Sequence, residues 1–375
     1  MIEARHHLEH ALALCAEMDE SEAVDALRLS AFTRLGPILT GLIGANSPPA
    51  RKLYEDGVAI ARRQPKEDQP KWFPIYWGWW LTGPDFLVMH DRALEVQMMM
   101  LGTEDREITL QVKHCIWAID FNLGRHKETQ EAITAGIALY DERSAETART
   151  LYGGHDAKVC GLGQLALSLW LTGQGSASDT ALADMVSLVE RIGHVPSTAH
   201  SLDTEAVSAF YRDDFERLAD VSSRMQLFAQ QHEMQSLAGM SLLFGGWAKA
   251  HSDDLLAGHE MFGEGLALLK DLGAVADLPI YLYMHATLLG LAGKYEQAID
   301  VVTDAIWQAK ETGHAYWLSE LYRCRAVLRA QGNVKTNLVA AELLTAVTIA
   351  ESQGAMALLQ RASRSTRELG VVIGR

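Results

Sequence analysis

The stretch ATLLGLAGKYEQAIDVVTDAIWQAKETG (Ala286–Gly313) decides the fold. An apolar helical segment ends at Gly293, and a second, amphipathic segment runs from Lys294 to Gly313. The same turn returns along the chain. It falls at Gly44, Gly83, Gly124, Gly173, Asp213, Ser252, Gly293 and Gly332, at intervals of 39, 41, 49, 40, 39, 41 and 39 residues. WGWWLTG (Trp77–Gly83), LALSLWLTG (Leu165–Gly173) and RAVLRAQG (Arg325–Gly332) repeat the end of the first segment. One helix pair cannot bury its own apolar face, so pairs repeated at a fixed period must stack on one another. The spacing predicts an all-α protein, a right-handed α-solenoid of about seven to eight helix–turn–helix units with a period of about 40 residues.

The second helix of a unit also ends on a regular signal, in ERIGH at Gly193, KDLGA at Gly273, KETGH at Gly313 and ESQGA at Gly354. Glycine just past a helix suits the left-handed cap, where a Cβ would clash. Residues 1–44 read as an atypical N-terminal cap. The longest unit carries its extra length in DERSAETARTLYGGHDAKV (Asp141–Val159), read as a longer inter-repeat loop. Insertions in solenoids gather on one face and often serve binding. No Gly/Ser/Pro tract breaks the pattern, so 1–375 reads as a single solenoid domain.

Composition narrows the function. The 48 acidic residues outnumber 33 basic ones and give a formal charge of −15, which argues against nucleic acid or an anionic membrane as partner. The four cysteines, Cys15, Cys115, Cys160 and Cys324, form no CxxC and no Cys/His pair at zinc spacing, so buried reduced thiols are expected. The start, MIEARHHLEH, is polar, and no stretch reaches about 18 uncharged apolar residues, so a soluble cytoplasmic protein is expected. His6 and His10 share a helix face, but no third ligand accompanies them, and HExxH is absent; no metal or cofactor is expected. Met98–Met99–Met100 reads as packing filler.

The small residue in the first helix, the Gly turn and the aromatic-x-x-Ala of the second, as in LAGKYEQAI (Leu291–Ile299), resemble tetratricopeptide (TPR) repeats. Four longer strings extend the likeness: LYGGHDAKVCGLGQLALSLWLTG (Leu151–Gly173), ERIGHVPSTAHSL (Glu190–Leu202), GGWAKAHSDDLLAGHEMFGEGLALLKDLGA (Gly245–Ala274) and ETGHAYWLSELYRCRA (Glu311–Ala326). With them the chain resembles the C-terminal helical-repeat region of bacterial signalling proteins that carry a nucleotide-cyclase domain and an ATPase domain. This sequence has no GxxxxGK[ST] phosphate loop and no cyclase segment. The resemblance therefore implies a sensing or scaffolding module without its enzyme.

In TPR-like units the first helix of each pair lines the inner face. At 3.6 residues per turn, positions about 3, 6, 10 and 13 before each turn face inward. They are Phe73, Trp77 and Trp80; His114 and Phe121; Trp170; His200, Asp203 and Phe210; Lys249; Tyr283; and Tyr322 and Arg329. Positions 4 and 7 before the turn are the core: Trp79 and Tyr76, Leu169 and Ala166, Ala209 and Ala206, Leu289 and Ala286. WFPIYWGWW as a whole reads as core packing, and Asp203 is placed to hydrogen-bond His200 from the same helix face.

Three functions fit these residues. The first is a non-catalytic module that engages a protein or peptide in its concave groove, probed by Lys249→Glu or Arg329→Glu. The second is a small-molecule sensor with an aromatic pocket near Trp77, Trp80, His114 and Trp170. The third is an enzyme centred on Tyr152, His155 and Asp156, where a histidine beside a carboxylate could act as a base.

Overall fold

The computed structural model describes residues 2–45, 47–152, 154–252, 254–274, 277–332 and 336–372. Among them are nineteen α-helices, one 3-10 helix and no strand. The helices are α1 (Ile2–Ala16), α2 (Glu22–Ile43), α3 (Pro48–Ala61), α4 (Phe73–Leu81), α5 (Phe86–Met99), α6 (Arg106–Asn122), α7 (His126–Ile137), α8 (Glu142–Leu151), α9 (Ala157–Leu171) and α10 (Gly175–Ile192). They continue with α11 (Val195–Tyr211), α12 (Phe215–Gln231), α13 (Gln235–Ser252), α14 (Leu255–Asp271), α15 (Leu278–Leu291), α16 (Tyr295–Thr312), α17 (Leu318–Gln331), α18 (Thr336–Gln353) and α19 (Met356–Glu368). The 3-10 helix, Lys66–Trp72, leads into α4.

Each turn of the repeat separates a first helix from its partner, as α11 from α12 at Asp213 and α15 from α16 at Gly293. The cap signal also returns where the sequence hides it. Glu233, midway between Gly193 and Gly273, takes the same left-handed backbone at φ 55°. The stretch read as a loop contains a helix, α8. Its ERSAETARTL sequence is rich in helix formers, Asp141 caps it by accepting from the N–H groups of Arg143 and Ser144, and Ala145 and Ala148 bury one face.

The helices gather into two compact units, one of Met1–Ile119 with Glu131–Gly161, the other of Asp120–Gln130 with Leu162–Arg375. In the first unit Tyr54 is buried against Gly36 and Gly78, where a Cβ would collide with its ring. Gln69 donates to the carbonyls of Ala61 and Gln64 at 3.0 and 2.8 Å and accepts from Tyr76, which fixes the entry to α4. Of the core positions, Tyr76 is buried and Trp79 is half-buried under the guanidinium groups of Arg62 and Arg92, 5.0 and 4.6 Å from its ring. Of the three consecutive methionines only Met100 is buried; Met98 is exposed.

In the second unit Ala166, Leu169, Ala206, Ala209, Ala286 and Leu289 are all buried, as their register requires. The tightest pair is α13–α14. A Cβ on Gly246 would lie 2.5 Å from the Phe262 nitrogen and 2.7 Å from the Gly258 oxygen, and one on Gly265 would lie 2.6 Å from the Gly239 oxygen. The two helices thus touch backbone to backbone. The unit also closes on itself. Gln353 donates to the Ala315 carbonyl at 2.9 Å, and the Ala315 N–H donates to the Asn122 carbonyl at 2.7 Å. No described helix is long and apolar enough to cross a membrane.

Candidate functional site

In the first unit the inner-face residues of α4 and α6 meet the segment after α8. Trp77 lies 5.4 Å from Trp80, 5.9 Å from Tyr152 and 6.2 Å from His114, measured between ring centroids. Phe73 meets Tyr152 edge-on at 5.5 Å. His114 stacks on Trp117 at 4.9 Å and meets His155 edge-on at 5.6 Å. Phe73, Trp77, Trp80, His114, Trp117 and Tyr152 are buried, and His155 is half-buried. The rings fill the inner face with one another.

A chain of hydrogen bonds sets the state of His114. Gln111 donates through Nε2 to the Glu107 carboxylate at 2.9 Å, so its Oε1, 3.1 Å from His114 Nδ1, must be the acceptor. His114 therefore donates through Nδ1. Glu107 also accepts from the Ser144 hydroxyl at 2.9 Å.

The proposed catalytic group of the sequence reading lies here, but its members do different work. Asp156 Oδ1 accepts from the N–H groups of Lys158 and Val159 at 2.9 and 3.2 Å, and so caps α9. Its Oδ2 accepts from Tyr140 and from Arg149, each at 2.9 Å. Asp156 is a structural anchor for this segment. Tyr152 belongs to the aromatic stack, and burial pushes its phenol above the usual tyrosine range, with Glu107 and Asp105 adding to the effect.

The same place holds a residue that the sequence reading treated as an inert thiol. One nitrogen of His114, one nitrogen of His155 and the sulfur of Cys160 all lie within 4.8 Å of one another. Burial pushes the Cys160 thiol up to about 12, with the neighbouring Trp117 indole opposing the rise and the charge of Asp156 adding to it. His155 and Cys160, with four residues between them, gave a partial spacing signal that the expectation of inert thiols passed over, and His114, from α6, joins them only in the fold.

The second unit has an inner face of a different kind. Glu320 is fully buried and accepts two hydrogen bonds from Arg323, at 2.6 and 2.8 Å, one from Arg361 at 3.2 Å and one from Tyr283 at 3.1 Å. Burial alone would raise its carboxyl, but Arg323 and Arg361 hold it at about 2. Arg361, on α19, also donates to the Tyr211 carbonyl at 2.6 Å and to Asp213 at 2.8 Å. Its guanidinium lies over the rings of Trp170 and Trp317, at 5.5 and 5.8 Å. Tyr211 stacks on Trp317 at 4.6 Å, and Phe210 packs 5.6 Å from both Trp247 and Trp317.

Beside this cluster a cleft of about 500 Å³ is lined by Trp170, Arg212, Asp213, Gln360, Arg361 and Arg364 among others. Helix α10 begins at this cleft, at Gly175, with no side chain capping its first turn.

The remaining inner-face positions are spread along the second unit. Phe121 lies 4.7 Å from Tyr316, and both are buried. Tyr283 is buried on Glu320, Arg329 is half-buried on Glu342 at 2.7 Å, and Tyr322 lies under Arg325 at 5.3 Å. Trp170 is 5.4 Å from Tyr211, and Lys249 is exposed. His200 and Asp203 are half-buried. Burial raises the Asp203 carboxyl to about 7, with the charge of Asp277 adding to it.

The chain is a TPR-like helical-repeat solenoid. No family model matches it. A Rhizobium meliloti (strain 1021) protein described as uncharacterised is 67% identical over 375 residues; the match takes in 100% of this chain, which spans 36% of that relative's length. Among solved structures, NprR in complex with its cognate peptide NprX superposes with a TM-score of 0.54 at 12% identity, over 91% of this chain and 97% of that one. The apo form of the quorum sensor NprR from B. thuringiensis gives a TM-score of 0.50 at 13% identity, over 91% and 96%.

Proposed function

We propose that this chain is a non-catalytic regulatory module whose inner face engages a peptide or protein segment, with an acidic group of that segment seated in the Arg212–Arg361–Arg364 cleft. The cleft carries this reading. In a chain of net charge −15, three arginines gather around one opening beside Trp170; Asp179 pairs with Arg212 at 3.0 Å, Glu320 and Asp213 pair with Arg361 at 3.2 and 2.8 Å, and Arg364 adds a further positive charge to the lining. The uncapped first turn of α10 adds N–H groups and the positive end of a helix dipole, which favour an anion. Trp170 offers an apolar wall for the neighbouring part of the ligand. The peptide held by the NprR structure belongs to that protein; a similar fold used for a similar purpose supports the reading.

By register, His200, Asp203, Lys249 and Tyr322 extend the docking surface of the second unit, with Phe121, Tyr283 and Arg329 beneath it, while Phe73, Trp77, Trp80 and His114 line the inner face of the first unit. Lys249 tests the surface more cleanly than Arg329, whose guanidinium already pairs with Glu342. The resemblance to cyclase- and ATPase-bearing signalling proteins supports reading such a module as the sensory part of a longer protein. The much longer relative supports that placement.

The experiment is selection from a random peptide display library on the immobilised chain. Enriched peptides are expected to carry an acidic side chain or an essential free carboxylate. Their affinity is expected to fall at least ~10-fold in Arg364→Glu, with the helical circular dichroism unchanged. Peptides without any acidic requirement, or equal binding to the variant, would defeat the reading.

A further inference from the structure

We propose that His114, His155 and Cys160 form a binding site for a borderline-soft divalent metal ion of the zinc class. Two imidazole nitrogens and one sulfur are the donor set such ions prefer over hard cations. Their donor atoms already stand within 4.8 Å of one another. Bonds of about 2.0–2.1 Å to nitrogen and 2.3 Å to sulfur place tetrahedral ligand atoms about 3.5 Å apart. Closing the trio therefore asks only for small side-chain rotations, and His155, half-buried between α8 and α9, sits where the backbone is not held in a helix.

Two supports surround the trio. Gln111 accepts from His114 Nδ1 and itself donates to Glu107, the kind of outer-shell hydrogen bond that orients a metal-binding histidine. Asp156, locked by Tyr140, Arg149 and the first turn of α9, sets the backbone between His155 and Cys160. The buried rings of Trp77, Trp80 and Trp117 exclude water from the inner side. On binding, the Cys160 S–H proton leaves to solvent as the metal–sulfur bond forms, and a water fills the fourth position. The ion would tie α6 to the segment entering α9, so occupancy would stiffen the first unit.

The test uses the full chain, reduced and stripped with a chelator, with Co2+ and then Zn2+ as probes. One equivalent of Co2+ is expected to give a near-ultraviolet thiolate-to-cobalt band and strong visible bands, both bleached by one equivalent of Zn2+. Cys160→Ser is expected to lose the thiolate band. His155→Ala is expected to weaken Zn2+ binding at least ~10-fold, and Gln111→Leu ~10–100-fold, without loss of helical signal. His155→Ala keeps the test valid if Cys160→Ser fails to fold, since its side chain is not in the core. The proposal is overturned if no thiolate band appears, if the band survives in Cys160→Ser, or if Zn2+ affinity falls only when His6 and His10 are replaced.

Discussion

At the scale of single residues, backbone and charge place two side chains at a disadvantage. Glu233 holds a left-handed conformation at φ 55° on the exposed surface, where neighbouring units use glycine. An L-residue there costs about 1–2 kcal/mol, partly offset by the extra unfolded-state entropy of glycine. Glu233→Gly is expected to raise stability by about 0.5–1 kcal/mol in urea unfolding. Asp203 is the second case. Its folded-state carboxyl titrates at about 7, against an ordinary value of 3.8. The folded chain then binds the proton more tightly than the unfolded one, so this contribution is full below about pH 4 and is lost as pH rises through 7. Asp203→Asn, which mimics the protonated form, is expected to stabilise the protein by about 2–4 kcal/mol at pH 8 and to change little at pH 4. Equal effects at both pH values would show that burial does not govern this carboxyl.

At the scale of elements, the contrast is between glycines that look alike in the sequence. Gly246 on α13 and Gly263 on α14 both interrupt good helical patterns. A Cβ on Gly246 would press on the α14 backbone at 2.5 Å, whereas one on Gly263 meets nothing within 4 Å. Gly246→Ala is expected to cost about 2–3 kcal/mol, because two backbones must separate. Gly263→Ala is expected to gain about 0.5–1 kcal/mol from helix propensity alone. Thermal unfolding of the two variants checks the sign of each. The same scale explains α8. Its ERSAETARTL is rich in helix formers, but the extra length of this unit suggested an inserted loop in the sequence alone.

At the scale of the molecule, the second unit is closed by a buried ionic knot. Arg361 comes from α19 and reaches the turn after α11, joining chain segments 150 residues apart. Glu320 holds that arginine, and its carboxyl titrates at about 2 rather than the ordinary 4.5. The folded state thus resists protonation, and its advantage is present above about pH 4.5 and lost as pH falls towards 2. Glu320→Gln is expected to cost about 3–5 kcal/mol at neutral pH, since it takes the carboxylate from half-buried Arg323 and one of the two carboxylates that Arg361 meets. The same variant is expected to flatten the acid limb of the stability curve between pH 4.5 and 2. An unchanged acid limb would move the acid sensitivity to other groups.

The sequence by itself determined the repeat, the helix class and the register. A 3.6-residue periodicity punctuated by a turn about every 40 residues is local information, and every residue needed to read it lies within one unit. Tyr76, Ala166, Ala206, Ala209, Ala286 and Leu289 could be assigned to the core for the same reason. Tertiary structure alone decided how the inner faces are used. The meeting of His114 with His155 and Cys160, and of Arg361 with Asp213, depends on how far each stacked pair rotates relative to the last. That rotation is set by interhelical packing, such as the backbone contact at Gly246, and small changes in it accumulate over several units. A pattern repeated along the chain reports which side of each helix turns inward; only the accumulated rotation brings distant inward residues to one point.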